Sequence, residues 1–273
     1  LWGSYSTYDK GAIQTLCSNN SVAYPEIAFC YFLQFVLDTQ FRAVSEYARK
    51  NGIVLKGDIP IGVNKNSVET WTEPKYFNMN GQAGAPPDDF SENGQNWMFP
   101  TYNWAEMEKD GYSWWKKRFR KMSDYFDAFR IDHILGFFRI WEVPQEYVQG
   151  LCGHFNPALP FSKNEIEQYG LVFNEARFTT PHIHNKNLHK LFGDLTSEVM
   201  GSYLAQSSSN HFVLKPFCDT QRKIEKIFAQ KKDEASQRIK EGLYAIANEV
   251  LFLADPHNEL LFHPRISAMN SFI

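Results

Sequence analysis

An arginine and an aspartate two positions apart, Arg130 and Asp132, best combine the residue types and spacing needed for covalent catalysis. The segment Ala128–Ile131 is predicted to be a buried strand with Asp132 at its carboxyl end. Side chains alternate between the faces of a strand, so Arg130 and Asp132 should point the same way. A neighbouring cation favours the ionised carboxylate, which can act as a nucleophile at the end of a parallel strand. An ordinary strand-end ion pair has the same spacing, and spacing alone favours it.

A long segment upstream, residues 64–104, combines Gly, Pro and Asn with amide and aromatic side chains. A loop of this length inside a compact domain is usually functional. Gln95 offers a donor and acceptors, and Trp97, Tyr102 and Trp104 offer flat apolar faces. Sugars present hydroxyl edges and apolar C–H faces, which such side chains match. A structural loop that is fixed by packing of its own aromatic side chains fits the composition equally well.

The elements that must position these residues follow a helix–strand pattern. Apolar residues at three- and four-residue steps predict a helix over residues 25–51. A short strand is predicted over 53–55, followed by a polar turn that contains Asp58. A second helix is predicted over 104–127, before the strand that leads to Asp132. Two such units, each ending in an acidic residue, predict an α/β fold and suggest part of a (β/α) barrel, although an open sheet would also fit.

The chain changes character after Pro144. Residues 151–210 are weakly periodic, and residues 217–254 are predicted to be largely helical. Three histidines, His182, His184 and His189, lack the carboxylate or cysteine spacing of a metal site, so we expect surface histidines and no metal.

Composition narrows the class of protein. The chain has 273 residues, 43% hydrophobic and 16% aromatic, enough for a large core. A net charge of -3 gives no indication of nucleic acid or an anionic membrane as partner, and no apolar run approaches the ~18 residues of a membrane helix. Four scattered cysteines predict buried free thiols and a reducing compartment, the cytoplasm.

Four ordered motifs together resemble a known family. They are LKGDIPIGV, GAPPD, NGQNWMFPTYNW and FRIDHILGFFRIWEVP, and they lie within residues 55–144. This combination resembles the 4-α-glucanotransferases of the amylomaltase type, glycoside hydrolase family 77, and most of all the eukaryotic cytosolic type. The likeness is looser over residues 211–267.

The resemblance implies a (β/α)8 TIM barrel and transfer of α-1,4-glucan segments by a retaining double displacement. Asp132 would be the nucleophile, Arg130 would hold it ionised, and His133 would bind sugar hydroxyls. The residues implied to bind the glucan are Asp58 at the donor site and Gln95, Trp97 and Tyr102 along the groove. No cofactor is expected, because a side chain is the nucleophile.

The resemblance also divides the chain. Residues 1–150 would be part of the catalytic barrel, residues 151–262 a helix-rich insertion after the nucleophile strand, and residues 263–273 the start of the return to the barrel. Retaining transfer needs two carboxyl groups ~5–5.5 Å apart. The family's acid/base Glu and its stabilising Asp would lie beyond the insertion and outside this chain, and Glu142 would be structural. We therefore expect a fragment that is inactive alone, with part of the barrel also lying before Leu1.

Three functions are weighed. The first is a 4-α-glucanotransferase acting on malto-oligosaccharides and glucans. The second is a hydrolase of the same bonds, which differs in using water to intercept the intermediate. The third is a non-catalytic glucan-binding protein, if the chain is complete as given. The sequence makes no prediction of oligomeric state.

Overall fold

A computed structural model describes residues 2–256 and 258–265 of the chain. The α-helices of this part are α1 (Lys10–Leu16), α2 (Tyr24–Lys50), α3 (Val68–Thr72), α4 (Trp104–Lys109), α5 (Ser113–Ser123), α6 (Lys163–Gln168), α7 (Glu175–Phe178), α8 (Asn185–Phe192), α9 (Thr196–Ser202), α10 (Gln221–Phe228) and α11 (Glu234–Ala247). The strands are β1 (Lys56–Ile59), β2 (Phe77–Asn78), β3 (Gly81–Ala85), β4 (Gln95–Asn96), β5 (Thr101–Tyr102), β6 (Ala128–Ile131), β7 (Ile140–Pro144), β8 (His154–Asn156), β9 (Phe161–Ser162), β10 (Ile183–His184), β11 (Leu204–Ser208), β12 (His211–Leu214), β13 (Phe252–Ala254) and β14 (Leu261–Pro264).

The chain divides into two compact units. The first unit combines Leu1–Met79 with Phe99–Gly136, and the second combines Asn80–Met98 with Phe137–Ile273. This is a division by packing, whereas the division at residues 150 and 262 is defined by comparison with a complete barrel and stays a prediction. Of the last predicted part, residues 266–273 lie outside the described residues.

Helix α2 in the first unit confirms the helix predicted over residues 25–51. Pro25 lies in its first turn, where a missing N–H costs nothing. Arg49 and Lys50 lie in its last turn, where cations oppose the negative end of the helix dipole. The helix ends at Asn51, and Gly52 follows with a left-handed φ of 69°.

Strands β1 and β6 form a parallel pair in the first unit, and Asp58 lies opposite Arg130 in its register. The strand expected over residues 53–55 was placed too early, and Asp58 lies in the strand instead of in a polar turn. The polar side chains of β1 are tolerated because Lys56 and Asp58 are exposed, whereas Gly57 and Ile59 lie on the buried face. On that face Gly57 lies so close to Phe126 that a Cβ would be 2.6 Å from the ring.

Strand β6 has the predicted bounds but is not buried. Ile131 is 39% exposed, and three of the four strand residues are exposed. Within the described residues the sheet consists of β1 and β6 alone, so the strand pair has little to pack against.

The helix predicted over residues 104–127 is two helices, α4 and α5. The break lies at Gly111 and Tyr112, which have left-handed φ values of 66° and 61°. Asp110 stabilises the new start, because its carboxylate accepts hydrogen bonds from the N–H and hydroxyl of Ser113. The apolar spacing runs across this break, so periodicity alone could not reveal it.

The segment expected to be one long loop, residues 64–104, contains α3 and strands β2–β5. In the first unit β2 pairs with β5, and in the second unit a four-stranded antiparallel sheet has the order β4-β3-β7-β8. Strands β2, β4 and β5 have two residues each and carry no periodic signal, and the five residues of β3, GQAGA, show no alternation of large apolar and polar side chains.

The rest of the second unit mixes helices and short strands. Helices α6–α11 and the antiparallel sheet β10-β12-β11 lie within the predicted insertion, whereas the antiparallel sheet β13-β14-β9 crosses its predicted end at residue 262, because β14 continues to Pro264. The helix expected over residues 217–254 is interrupted between α10 and α11 and gives way to β13. The unit's main core is formed by buried side chains that include Leu188, Phe192, Ile224 and Leu243.

The protein is therefore a mixed α/β structure with small sheets, as the α/β prediction requires. The described residues contain no closed barrel. In the same part of the chain no helix is long and apolar enough to cross a membrane. All four cysteines are free thiols; Cys152 and Cys218 are buried as expected, whereas Cys30 is exposed because it lies on an uncovered part of α2.

Candidate active site

The acidic–arginine cluster consists of Asp58, Arg130 and Asp132 in the first unit. Arg130 Nη1 donates to Asp58 Oδ2 at 2.5 Å, and Arg130 Nη2 donates to Asp132 Oδ1 at 2.8 Å. The parallel register explains this arrangement, because Asp58 and Arg130 are cross-strand partners and Asp132 is two residues further along the same strand face. The sequence prediction that Arg130 and Asp132 point the same way is confirmed.

The three side chains of this cluster are open to solvent. The side chain of Arg130 is 56% exposed and that of Asp132 is 43% exposed. A carboxylate so placed can reach a ligand while one guanidinium nitrogen still neutralises it. The cluster can therefore support a nucleophile at Asp132, with Arg130 fixing its orientation.

The turn after Asp132 is tightly fixed. Asp132 N donates to Ile59 O at 3.1 Å, which continues the parallel pairing beyond the last strand residue. His133 has a left-handed φ of 48°, and its carbonyl accepts from Gly136 N at 2.9 Å. A Cβ on Gly136 would lie 2.9 Å from the side chain of Ile61, so a larger residue there would require Ile61 to move. The turn thus places His133 next to the nucleophile candidate.

Gln95 and Trp97 lie in the second unit, at the β3–β4 hairpin. Trp97 Nε1 donates to Gln95 Oε1 at 3.0 Å, and Trp97 N donates to Ala83 O at 2.8 Å. Gln95 is exposed and Trp97 half-buried. The hairpin therefore presents an amide next to an indole ring, the combination that suits a sugar.

Tyr102 lies elsewhere, in the aromatic core of the first unit. It is 5% exposed, and its ring packs against Phe77, Trp104 and Trp114 at centroid distances of 5.1–5.7 Å. Burial raises the pKa of its hydroxyl to about 12. Tyr102 exposes little surface that a sugar could contact, and it is not part of the proposed site.

Asp127 anchors the start of β6, the strand that leads to Asp132, and no sequence prediction assigned it a role. Its carboxylate accepts from Arg49 Nε at 2.7 Å and from Leu55 N at 3.0 Å, which ties the end of α2 to the starts of β1 and β6. The Arg49 guanidinium, together with the Leu55 N–H, holds the pKa of Asp127 below its usual value. An acidic residue directly before a strand was the available signal.

No group of three or more His, Cys, Asp or Glu side chains within the described residues could hold a metal ion. The histidines His182, His184 and His211 are neighbours, with ring centroids 4.9 and 5.2 Å apart. Besides these ring contacts, His184 Nδ1 accepts from Lys186 N at 3.1 Å, and His211 Nδ1 lies 3.1 Å from Ser209 O.

Comparison with known proteins identifies relatives along the whole chain. The family model of glycoside hydrolase family 77, described as 4-alpha-glucanotransferase, matches residues 1–252. The 4-alpha-glucanotransferase DPE2 of Oryza sativa subsp. japonica is 39% identical over 97% of this chain, which is 28% of its own length. The chloroplastic/amyloplastic 4-alpha-glucanotransferase of Solanum tuberosum is 44% identical over 51% of this chain and 26% of its own length.

Among solved structures, the amylomaltase from Streptococcus agalactiae in complex with acarbose is 25% identical over 77% of this chain and 49% of its own, with a TM-score of 0.41. The chain spans about a quarter of the length of the two curated relatives above. The match of the family model over nearly all of the sequence, together with the 39% identity across 97% of it, shows that this chain belongs to glycoside hydrolase family 77, the 4-α-glucanotransferases.

Proposed function

We propose that the whole protein containing this chain is a 4-α-glucanotransferase that moves α-1,4-glucan segments between malto-oligosaccharides and glucan acceptors. The family membership supports this activity. The observation that carries the role of this chain is the bridge from Arg130 to both Asp58 and Asp132 across two paired strand ends. Such a bridge fixes one carboxylate in one orientation, as a covalent nucleophile requires.

In the proposed reaction an oxygen of Asp132 attacks the anomeric carbon of the donor sugar, and the bond to the leaving-chain oxygen breaks. That oxygen takes its proton from an acid supplied by a part of the protein outside these 273 residues. The deprotonated acid then removes a proton from an acceptor hydroxyl, which displaces Asp132 and retains the α-anomer. His133 binds hydroxyls at the cleaved bond, Asp58 shapes the donor site, and Gln95 and Trp97 line the groove.

The architecture proposed with this function is a (β/α)8 barrel in which β1 and β6 are neighbouring strands. The parallel pairing, with a helix before each strand, supports it. Residues 151–262 are the proposed insertion. The free thiols support the cytoplasm as the compartment.

The test is the substitution Asp132→Asn in the full-length protein. We expect glucosyl transfer from maltose to fall by at least about 10³-fold, because the nucleophile is lost. The unsubstituted protein can be treated with a glycosyl fluoride donor whose second step, the displacement of Asp132 by the acceptor, is slow. A glycosyl ester should then remain on the peptide that contains Asp132, where mass spectrometry detects it.

Asp194→Asn is the matched control, because that exposed carboxylate has only a surface ion pair. Retained turnover in Asp132→Asn, or an ester on another peptide, would refute the assignment. Labelled glucose as acceptor separates transfer from hydrolysis: label appearing in maltose and longer chains indicates transfer, and release of unlabelled glucose alone indicates hydrolysis.

A further inference from the structure

A cavity of about 540 Å³ lies in the second unit, among residues that the proposed mechanism does not use. Its lining includes Arg139, His154, Phe155, Leu159, Phe161 and His263. We propose that this cavity is a binding site for a neutral sugar, one or two pyranose rings of an α-glucan, separate in its residues from the acidic–arginine cluster.

Two stacked imidazoles form the polar part of the lining. The rings of His154 and His263 lie 4.3 Å apart at 24°. Nε2 of His263 donates to Asp255 Oδ2 at 2.7 Å, and His263 is only 5% exposed. Donation from Nε2 leaves Nδ1 as the remaining polar atom of the ring. The ring is thus held by a second residue in one orientation, as a built site requires.

The charges around the cavity favour a neutral ligand over an anion. Asp255 is paired with His263, and Glu142 Oε1 lies 4.0 Å from His154 Nε2. Arg139 is the charged residue of the lining, and the two carboxylates beside the imidazoles offset its charge. They disfavour a phosphate or carboxylate ligand, whereas a hydroxyl can accept from Arg139 and donate to an imidazole nitrogen.

The rest of the lining suits the apolar face of a sugar ring. Arg139 Cζ lies 4.5 Å from the Phe155 ring centroid, and Trp141 meets the same ring edge-on at 5.0 Å. Phe155 is therefore fixed before any ligand arrives, which lowers the entropy lost on binding. Phe161 and Leu159 add further apolar surface.

The size agrees with this ligand. Binding pockets for small molecules typically measure about 300–1,000 Å³, with mainly apolar walls and a few polar groups that set orientation. The cavity falls within this range and has that composition. The choice of an α-glucan over another neutral sugar rests on the proposed function, whereas the cavity argument needs only a pyranoside.

The experiment compares maltotriose binding by the full-length protein, made inactive with Asp132→Asn, with and without Ala158→Trp. Ala158 is half-buried in the lining, so an indole there fills the cavity without removing a hydrogen bond. Isothermal titration should show one maltotriose site fewer per chain in the double variant. Ala176→Trp, at an exposed position of α7, is the matched control and should leave the number of sites unchanged.

A second variant keeps the proposal testable if Ala158→Trp fails to fold. Arg139→Met retains a long apolar side chain over Phe155 but loses the guanidinium donors, and we expect at least a 10-fold weaker affinity at one site. Both cavity variants, with Asp132 intact, should transfer glucose from maltose within two-fold of the parent rate. An unchanged number and affinity of sites in both variants would overturn the proposal, as would tighter binding of glucose 6-phosphate than of maltotriose. If a cavity variant with Asp132 intact lost transfer activity but bound maltotriose as before, this would contradict the proposal that the cavity is separate from the active site.

Discussion

At the scale of single residues, Arg130 contributes more to the geometry of the acidic–arginine cluster than to the free energy of folding. Exposed ion pairs contribute little to folding free energy, and Arg130 and its two partners are all open to solvent. The planar guanidinium, however, donates to Asp58 and Asp132 through different nitrogens and so fixes the distance between two strand ends. A lysine ammonium has the same charge but not this fork.

The substitution Arg130→Lys tests this role. We expect glucosyl transfer by the full-length protein to fall by about 10²-fold, because a nucleophile displaced by ~1 Å loses its attack geometry. The midpoint of thermal unfolding should stay within about 1 °C of the parent value. Arg120→Lys, at an exposed position of α5, is the control. Full activity with a lowered midpoint would mean that Arg130 is structural.

The pairing of Arg130 with Asp132 could be predicted because it follows from the two-residue period of a strand. The participation of Asp58 could not be predicted from periodicity, because the register of β1 against β6 depends on contacts between distant residues. Tyr102 shows the opposite failure: an aromatic in a motif can pack in a core, and composition does not distinguish the two uses.

At the scale of elements, helix α2 was predictable and the α4–α5 break was not. The 27 residues of α2 repeat their apolar spacing many times and carry stop signals at the end. The break depends on Asp110, whose carboxylate accepts from Tyr76 and Ser113. Such a side-chain cap competes with a continuing helix, and its partner Tyr76 is distant in sequence.

Asp110 makes the first unit sensitive to acid. The hydroxyl of Tyr76, with the hydroxyl and N–H of Ser113, lowers the pKa of Asp110 to about 2 from 3.8. A group whose pKa is depressed by folding contributes stability that is present above pH 3.8 and is lost as the pH falls towards 2. We therefore expect Asp110→Asn to lower the unfolding temperature at pH 7.

The difference between the parent and Asp110→Asn should shrink as the pH falls from 4 towards 2, because the protonated parent carboxyl resembles the amide. Differential scanning calorimetry across this range measures it. Asp89→Asn, an exposed carboxylate, is the control. A difference that is constant with pH would show that the ionised form of Asp110 contributes no stability.

The loop after β7 is fixed by one buried amide, that of Gln221 at the start of α10. Gln221 is fully buried, and its Oε1 accepts from Val148 N at 2.8 Å and Gln149 N at 3.0 Å. Its Nε2 donates to Asn248 Oδ1 at 3.0 Å. Leucine in its place would leave the two backbone N–H groups buried without an acceptor.

We expect Gln221→Leu to destabilise this region by about 2–4 kcal/mol, since each unsatisfied buried group costs about 1–3 kcal/mol. Hydrogen exchange of the amides of Val148 and Gln149 in the full-length protein should quicken by at least about 30-fold. Gln206→Leu, on exposed β11, is the matched control. Unchanged protection at both amides would mean that other groups hold the loop.

At the scale of the whole molecule, α2 exposes aromatic side chains that a protein normally covers. Phe29, Phe32 and Phe35 are 58–68% exposed, and Tyr47 is 69% exposed. The chain spans 28% of the length of its rice relative. We expect this face of α2 to be covered in the full-length protein. A barrel helix buries one face against its strands, and β1 and β6 alone cannot cover a 27-residue helix.

Hydroxyl-radical footprinting of the full-length protein, read by mass spectrometry, tests this inference. Phe32 and Phe35 should be oxidised several-fold more slowly than their exposure here implies, because the proposed barrel covers them. Tyr169, which is 83% exposed, and the buried Phe192 calibrate fast and slow oxidation within the same sample. If Phe32 and Phe35 react as fast as Tyr169, α2 is a solvent-facing helix, and β1 and β6 do not belong to a barrel that uses it. Protection of both residues would instead support the proposed barrel.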